Sequence, residues 1–86
     1  MYRKVVIADC PGCGQRPTLY TVKSKNEKWH HIGCTTVECH VCTKQSASLG
    51  YVLQAWNNGH GLYQNGNRYF TKPDIKRRFL ETVVGV

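Results

Sequence analysis

The chain has 86 residues, a formal net charge of +7 and five cysteines. A chain of this length forms one small domain with a marginal hydrophobic core, which a disulfide, a metal ion or a partner commonly stabilises. No stretch approaches the roughly 20 apolar residues of a membrane span, and the four apolar residues at 5–8 are too few for a secretory signal. We therefore expect a cytoplasmic chain without a membrane partner, in a reducing compartment where structural disulfides rarely persist.

Basic residues are spread along the whole chain. Residues 1–58 contain seven Lys and Arg against three Asp and Glu, and residues 59–86 contain five against two. This excess of positive charge favours approach to a polyanion or to an acidic protein surface, although it could also serve solubility alone.

The first predicted strand leads into a motif in which Cys10 and Cys13 are separated by two residues. A C-x-x-C segment can form a tight turn that directs both sulfurs at one ion, with metal–sulfur distances of about 2.3 Å. Pro11 presets one φ angle, while Gly12 and Gly14 tolerate the positive φ that such a turn requires. The motif therefore predicts one half of a metal site.

A predicted β-hairpin connects this motif to a second C-x-x-C pair. Residues 18–22 are rich in β-formers, residues 23–28 suit a loop, and residues 29–39 return as a strand. Two such pairs separated by 25 residues are typical of a four-thiolate zinc site. Four thiolates leave no open coordination position, so we expect a structural site and not a catalytic one. The predicted ligands of Zn²⁺ are Cys10, Cys13, Cys39 and Cys42.

Several features around the second pair leave alternatives open. Cys34 could replace one of these ligands or be a buried, apolar-like side chain. Thr43 stands after the second pair where a glycine follows the first, and a β-branched residue disfavours positive φ. His40 is expected to point outward, because four thiolates already complete the shell. Either pair could instead be redox-active or inert, but a thioredoxin-like pair belongs near a βαβ unit, and none is evident.

One helix is predicted after the second pair. Ser46 or Ser48 can cap its start, and Gly59 suits the position beyond its end. Its apolar residues recur at i, i+3, i+4 and i+7 and should pack on the hairpin: Leu49, Val52, Leu53 and Trp56.

The last third of the chain predicts a hairpin and a second helix. Asn65-Gly66 between aromatic residues is a strong hairpin signal. Residues 71–85 are expected to be helical, because residues 71 and 74 have capping-box spacing and a proline at 73 is allowed in a first turn. The apolar stripe of this helix would consist of Ile75, Phe79 and Val83, with Arg77 and Arg78 facing solvent.

Together these elements predict a small α+β fold. It would be a zinc ribbon, in which two C-x-x-C turns are joined by a β-hairpin, packed on a helix and followed by a C-terminal hairpin and helix. Residues 1–58 would form the zinc-ribbon domain with its helix. Residues 59–86 would form a basic C-terminal extension packed on the same domain.

The residues predict binding and not catalysis. The five acidic residues are scattered and form no acid–base pair, and the Asn and His residues at 57–60 are weak support for a nuclease. Basic residues interleaved with aromatic ones could contact phosphates and stack on bases, although the rings could equally fill the thin core. The candidate residues for binding nucleic acid or a partner are Lys23, Lys25, Lys28, Arg68, Arg77 and Arg78.

These motifs resemble the Lar-like restriction alleviation proteins, small zinc-ribbon proteins that are often encoded by phages and prophages. The resemblance covers residues 10–57, with C-P-x-C-G at 10–14, a Trp-bearing strand, C-x-x-C at 39–42 and Ala-Trp-Asn at 55–57. The chain departs from the family pattern at Thr43, where glycine is usual, at the additional Cys34, and in the basic extension that begins at residue 59. The resemblance implies a zinc ribbon that holds its ion with the two C-x-x-C pairs.

The resemblance also implies a function. It suggests a non-catalytic phage-type accessory protein that acts in the host cytoplasm by binding a host protein, such as a restriction enzyme or its modification subunit. The alternative, which the positive charge favours, is a zinc ribbon that binds DNA or RNA in transcription, replication or repair.

Overall fold

The computed structural model describes residues 2–72 and 76–85, in which seven strands and one helix are formed. The small α+β class is therefore confirmed. In chain order the elements are β1 (Tyr2–Ala8), β2 (Pro17–Ser24), β3 (Glu27–Cys34), β4 (Val41–Thr43), α1 (Leu49–Asn58), β5 (Leu62–Gln64), β6 (Asn67–Tyr69) and β7 (Phe79–Gly85).

The strands form two antiparallel sheets. One sheet has five strands in the order β2-β3-β4-β5-β6, and the other pairs β1 with β7. The hairpin predicted between the cysteine motifs is β2–β3, and its ladder extends to the pair Ser24–Glu27, so it includes most of the predicted loop. The predicted C-terminal hairpin is β5–β6. Its turn residues Asn65 and Gly66 have φ of 52° and 82°, which explains why Asn-Gly suits this turn.

The prediction of a second helix over residues 71–85 is wrong. Its last seven residues form β7, which pairs with β1 along its whole length. Positions four residues apart share one face of a strand as well as one face of a helix, so the spacing of Phe79 and Val83 fits both. Both side chains are exposed, and the β-branched run at 82–84 favours a strand. Part of the predicted cap and the first residue of the stripe, at 73–75, lie outside the described residues.

Helix α1 agrees with the predicted first helix. Ser48 is its N-cap, and the Ser48 hydroxyl accepts a hydrogen bond from the backbone N–H of Tyr51 at 3.2 Å. Gly59 ends the helix with φ 74°, a left-handed conformation that glycine adopts without strain. The buried face of the helix consists of Leu49, Val52, Ala55 and Trp56.

The core lies between α1, the two-stranded sheet and one face of the five-stranded sheet, which we call the inner face. Alternate residues of the five-stranded sheet supply its buried side chains, as expected for a sheet covered on one side. They include Ile32 on β3, Val41 and Thr43 on β4, and Leu62 on β5. The opposite face of this sheet is called the outer sheet face.

The Ala-Trp-Asn sequence ties the end of α1 to β1. The Trp56 indole Nε1 donates to the carbonyl of Ala8 at 2.8 Å. The Asn57 amide donates to the carbonyl of Val6 at 2.8 Å and accepts from the N–H of Ala8 at 2.9 Å. These contacts explain physically why an indole and an amide stand side by side at this helix end.

Arginines anchor the segment that precedes β7. The buried carboxylate of Asp9 receives Arg16 at 2.8 Å and Arg78 at 2.7 Å, and these hydrogen bonds, that of Arg16 first, lower the pKa of Asp9. Half-buried Arg77 donates to backbone carbonyls at the C-terminal end of α1, where the helix dipole favours a cation. The prediction that both arginines simply face solvent is therefore wrong for Arg77, and Arg78 is exposed but paired.

Candidate metal centre and outer sheet face

Four cysteine sulfurs meet beside the five-stranded sheet. The Sγ atoms of Cys10, Cys13, Cys34 and Cys39 all lie within 4.8 Å of one another, with 3.2 Å between Cys13 and Cys34 and 3.4 Å between Cys10 and Cys39. A tetrahedral ion with metal–sulfur bonds of about 2.3 Å would place its sulfurs roughly 3.8 Å apart, whereas a disulfide needs about 2.0 Å. All the cysteines are free thiols, so these four form a group that could hold a metal ion.

The first half of the group is the predicted C-x-x-C turn. The N–H of Gly14 donates to the carbonyl of Cys10, and the N–H of Cys10 donates to the carbonyl of Gln15, both at 2.9 Å. Gly14 has φ 77°. Gly12 is required for a different reason, because a Cβ at this position would lie 2.9 Å from the Sγ of Cys39. One glycine therefore closes the turn, and the other lets the two halves approach.

The second half of the group spans residues 34–40. Cys34 is the last residue of β3, and Cys39 follows a turn that is closed by a hydrogen bond from its N–H to the carbonyl of Thr36 at 3.0 Å. His40 comes next with φ 55°, in the same left-handed region that Gly14 occupies after the first pair. The His40 side chain is exposed, as expected from the sequence.

Cys42 is placed away from this group. It lies inside β4, where it pairs with Tyr63 of β5. Thr43 beside it is buried, and its hydroxyl accepts the N–H of Ile32 at 3.0 Å. Because β4 is extended at this point, residues 39–42 do not form the predicted turn. The gathered set shares Cys10, Cys13 and Cys39 with the predicted ligands and has Cys34 where the sequence predicts Cys42.

Two signals in the sequence indicate Cys34. The four residues between Cys34 and Cys39 lie within the roughly two to four that usually separate metal-binding pairs. The β-branched Thr43 argues against a tight turn after Cys42. The shorter C-x-x-C spacing at 39–42 favours Cys42 instead and competes with both signals.

Burial and hydrogen bonding act on the thiols in opposite directions. Burial raises the pKa of Cys10, Cys39 and Cys42. Burial acts in the same direction on Cys13, but hydrogen bonds, first from the backbone of Gln15 and then with neighbouring side chains, outweigh it and lower the pKa of Cys13 to about 7. Thiols that resist ionisation by themselves are converted to thiolates when a cation binds them, so metal binding releases protons.

The C-terminal hairpin supports both cysteine turns. The Gln64 amide of β5 donates to the carbonyl of Cys39 at 2.7 Å, and the Tyr69 hydroxyl of β6 donates to the carbonyl of Pro11 at 3.4 Å. The segment that the sequence suggested as an extension therefore contributes two strands to the five-stranded sheet and holds the backbone around the sulfurs.

The outer face of the five-stranded sheet carries aromatic rings and cations. Tyr20 stacks on His31, with ring centroids 4.8 Å apart, and the ammonium of Lys44 lies 5.4 Å from the ring centroid of Tyr63. Strand pairing and alternation place six such residues on this side, together with one exposed valine. The outer sheet face, as we use the term, consists of Tyr20 and Val22 on β2, Trp29 and His31 on β3, Lys44 just after β4, Tyr63 on β5 and Arg68 on β6.

The six predicted cationic binding residues fall in three places. Lys23, Lys25 and Lys28 lie at the end of the β2–β3 hairpin, where Lys23 stands directly opposite Lys28. Ammonium groups on directly opposite residues repel each other, and together these lysines make the electrostatic potential at the hairpin tip positive. Arg68 lies on the outer sheet face. The two remaining arginines make the ion pair and helix-end contacts described above.

Comparison with family models, with curated proteins and with solved structures finds no match to this chain. The resemblance to restriction alleviation proteins stays a prediction from the residues. In the part of the chain that the structure describes, no helix combines the length and the apolar character needed to cross a membrane.

Proposed function

We propose that this chain is a non-catalytic, zinc-stabilised protein that binds nucleic acid. Four sulfur donors favour Zn²⁺ over Mg²⁺ or Ca²⁺, which prefer oxygen ligands. The ligands would be Cys10, Cys13, Cys34 and Cys39. Since four thiolates fill a tetrahedral shell, the ion would hold the two cysteine turns together and would leave no position for substrate or water.

The outer sheet face is the observation that carries the binding proposal. Exposed Lys44 and Arg68 lie on either side of Tyr63, and Tyr20 is 39% exposed. Cations beside accessible rings are the groups that contact phosphates and bases. The net charge of +7 would also draw a polyanion towards the chain.

The acidic residues that the structure describes leave most of this face free of negative charge. Asp9 is neutralised by two arginines, Glu81 lies on the two-stranded sheet, and Glu38 lies in the second cysteine turn. Among the described residues, Glu27 alone shares the strand face with these rings, at the hairpin end. A phosphate chain crossing β4 to β6 would therefore meet cations without opposing carboxylates from the described residues.

A salt titration tests this function. We expect the zinc-loaded chain to bind DNA or RNA, with log affinity falling linearly against log salt by about 0.7–0.9 per phosphate contact. Lys44→Ala and Arg68→Ala should each reduce this slope by roughly one contact. Lys4→Ala, an exposed lysine of β1 on the other sheet, is the matched control and should leave the slope unchanged. Failure to bind either nucleic acid at low salt would contradict the proposal.

A protein partner is the second candidate, and a different surface favours it. The family resemblance implies a host protein such as a restriction-modification subunit. The two-stranded sheet exposes Val6, Phe79 and Val83, at 46%, 54% and 60%, and exposed apolar patches often mark protein interfaces. Co-elution with a purified modification subunit that Val83→Lys abolishes would support this candidate. Separate elution at high concentration would remove it.

A further inference from the structure

We infer that the outer sheet face takes unpaired bases, so that the nucleic acid bound is a single strand. This inference rests on the proposed nucleic-acid-binding function and adds the form of the ligand and the contacts that select it. Three properties of the face support it: its width, its exposed rings, and cations that form no ion pair with a carboxylate of the described residues.

The face is too wide for a duplex groove. From Tyr20 on β2 to Arg68 on β6 it spans four inter-strand spacings of about 4.8 Å each, or roughly 19 Å. The major groove of B-DNA is about 12 Å wide and admits a helix or a two-stranded ribbon. A face of five strands is therefore wider than this groove and does not enter undeformed B-DNA as a two-stranded ribbon does.

The rings on this face include a stacked pair on β2 and β3 and a third ring on β5. Tyr20 and His31 lie parallel to within 16° on neighbouring strands, and Tyr63 lies two strands beyond β3. Bases within a duplex stack on one another and offer no free surface, whereas each base of a single strand can stack on a side chain. Because Tyr20 and His31 cover each other's facing sides, a strand that crosses the sheet could stack one base on the free side of this pair and another on Tyr63.

The cations on this face are available to phosphates. The Lys44 ammonium lies over the Tyr63 ring, 5.4 Å from its centroid. Arg68 is directly opposite Tyr63 on β6, and its guanidinium lies over the Phe70 ring at the same distance. Neither forms an ion pair with a carboxylate of the described residues. A base stacked on Tyr63 would thus have a positive charge on each side for its flanking phosphates.

The hairpin tip offers the competing way to bind. Lys23, Lys25 and Lys28 lie on a two-stranded ribbon, the shape that a major groove admits. Binding through this tip would favour duplex and would not depend on the rings. The two surfaces therefore make opposite predictions.

Fluorescence anisotropy of the zinc-loaded full chain distinguishes binding at the outer sheet face from binding at the hairpin tip. The probes are a short oligothymidine, the matching oligouridine and a duplex of equal length. We expect at least one single strand to bind about tenfold or more tightly than the duplex. Tyr63→Leu and Tyr20→Leu should each weaken single-strand binding by roughly 5- to 150-fold, as for the loss of one stacked base. Tyr63→Phe keeps the ring and should retain binding.

Tyr51→Leu is the matched control, because Tyr51 is 53% exposed on α1, away from this face, and should not affect binding. Zinc content and circular dichroism of each variant establish that it is folded. Duplex bound as tightly as single strands, with Tyr63→Leu neutral and Lys23→Ala or Lys28→Ala weakening, would overturn the inference and leave nucleic-acid binding standing. Absence of binding to any probe would refute the proposed function itself.

Discussion

At the residue scale, the Asn57 side chain makes hydrogen bonds to β1 of the kind that a neighbouring strand would make. One edge of β1 pairs with β7, and the Asn57 amide satisfies a carbonyl and an N–H on the other edge. The first of these hydrogen bonds is exposed and the second is partly buried, and an intramolecular hydrogen bond of this kind contributes about 0.5–1.5 kcal/mol. This side chain therefore holds the end of α1 in place against the two-stranded sheet.

We predict that Asn57→Ala lowers the free energy of unfolding by about 1–3 kcal/mol, because two backbone groups of β1 lose their partner. Asn58→Ala is the neighbouring control: its side chain is exposed, and its effect should stay within about 0.5 kcal/mol. Urea denaturation of the zinc-loaded proteins measures both. Equal effects of the two substitutions would show that the contacts with β1 do not stabilise the chain.

At the element scale, local signals predicted α1 and the Asn65-Gly66 hairpin but not β7. The capping residues of α1 lie next to its apolar stripe, and the turn residues of the hairpin lie between its two strands. Each element can therefore be predicted from a short stretch of sequence. The partner of β7 is β1, at the other end of the chain. Pairing at that distance leaves no trace in local spacing, and the i, i+4 spacing of Phe79 and Val83 was ambiguous.

As part of strand β7, Val84 faces the core, whereas the predicted helix would place Val83 there. Substituting each valine therefore distinguishes the two structures. Val84 is 8% exposed and contacts the core, whereas Val83 is 60% exposed. Val84→Ala should therefore reduce the unfolding free energy by about 1.5 kcal/mol, at roughly 0.8 kcal/mol for each buried CH₂ group. Val83→Ala should have little effect. A larger loss of unfolding free energy for Val83→Ala than for Val84→Ala in chemical denaturation would favour the predicted helix over β7.

At the scale of the whole molecule, a small core is shared by two sheets and a helix. Val5 and Ile7 of β1 contact the same cluster as Ile32 and Val41 of the five-stranded sheet. Strands after residue 59 complete both sheets, so the folded unit needs both ends of the chain. A core of this size is marginal, and a structural zinc ion can contribute on the order of 10 kcal/mol to folding.

The candidate metal site could be predicted in kind but not in every member. The turn at Cys10–Cys13 follows from its own proline and glycines, and the need for a second pair follows from the tetrahedral shell. Which of Cys34, Cys39 and Cys42 complete it depends on where β3 ends and β4 begins. That register is set by contacts such as the Thr43 hydroxyl with the N–H of Ile32, which spacing along the chain does not reveal.

The central claim is that a zinc ion held by Cys10, Cys13, Cys34 and Cys39 stabilises the fold. Zinc stoichiometry by native mass spectrometry tests it, with Cys34→Ser and Cys42→Ser as a matched pair. We predict one zinc ion per chain in the parent protein and in Cys42→Ser. Cys34→Ser should lose the ion, and with it the folded structure seen by circular dichroism, as should the parent protein after chelation. Zinc retained by Cys34→Ser, or a parent protein that stays folded without metal, would contradict the account.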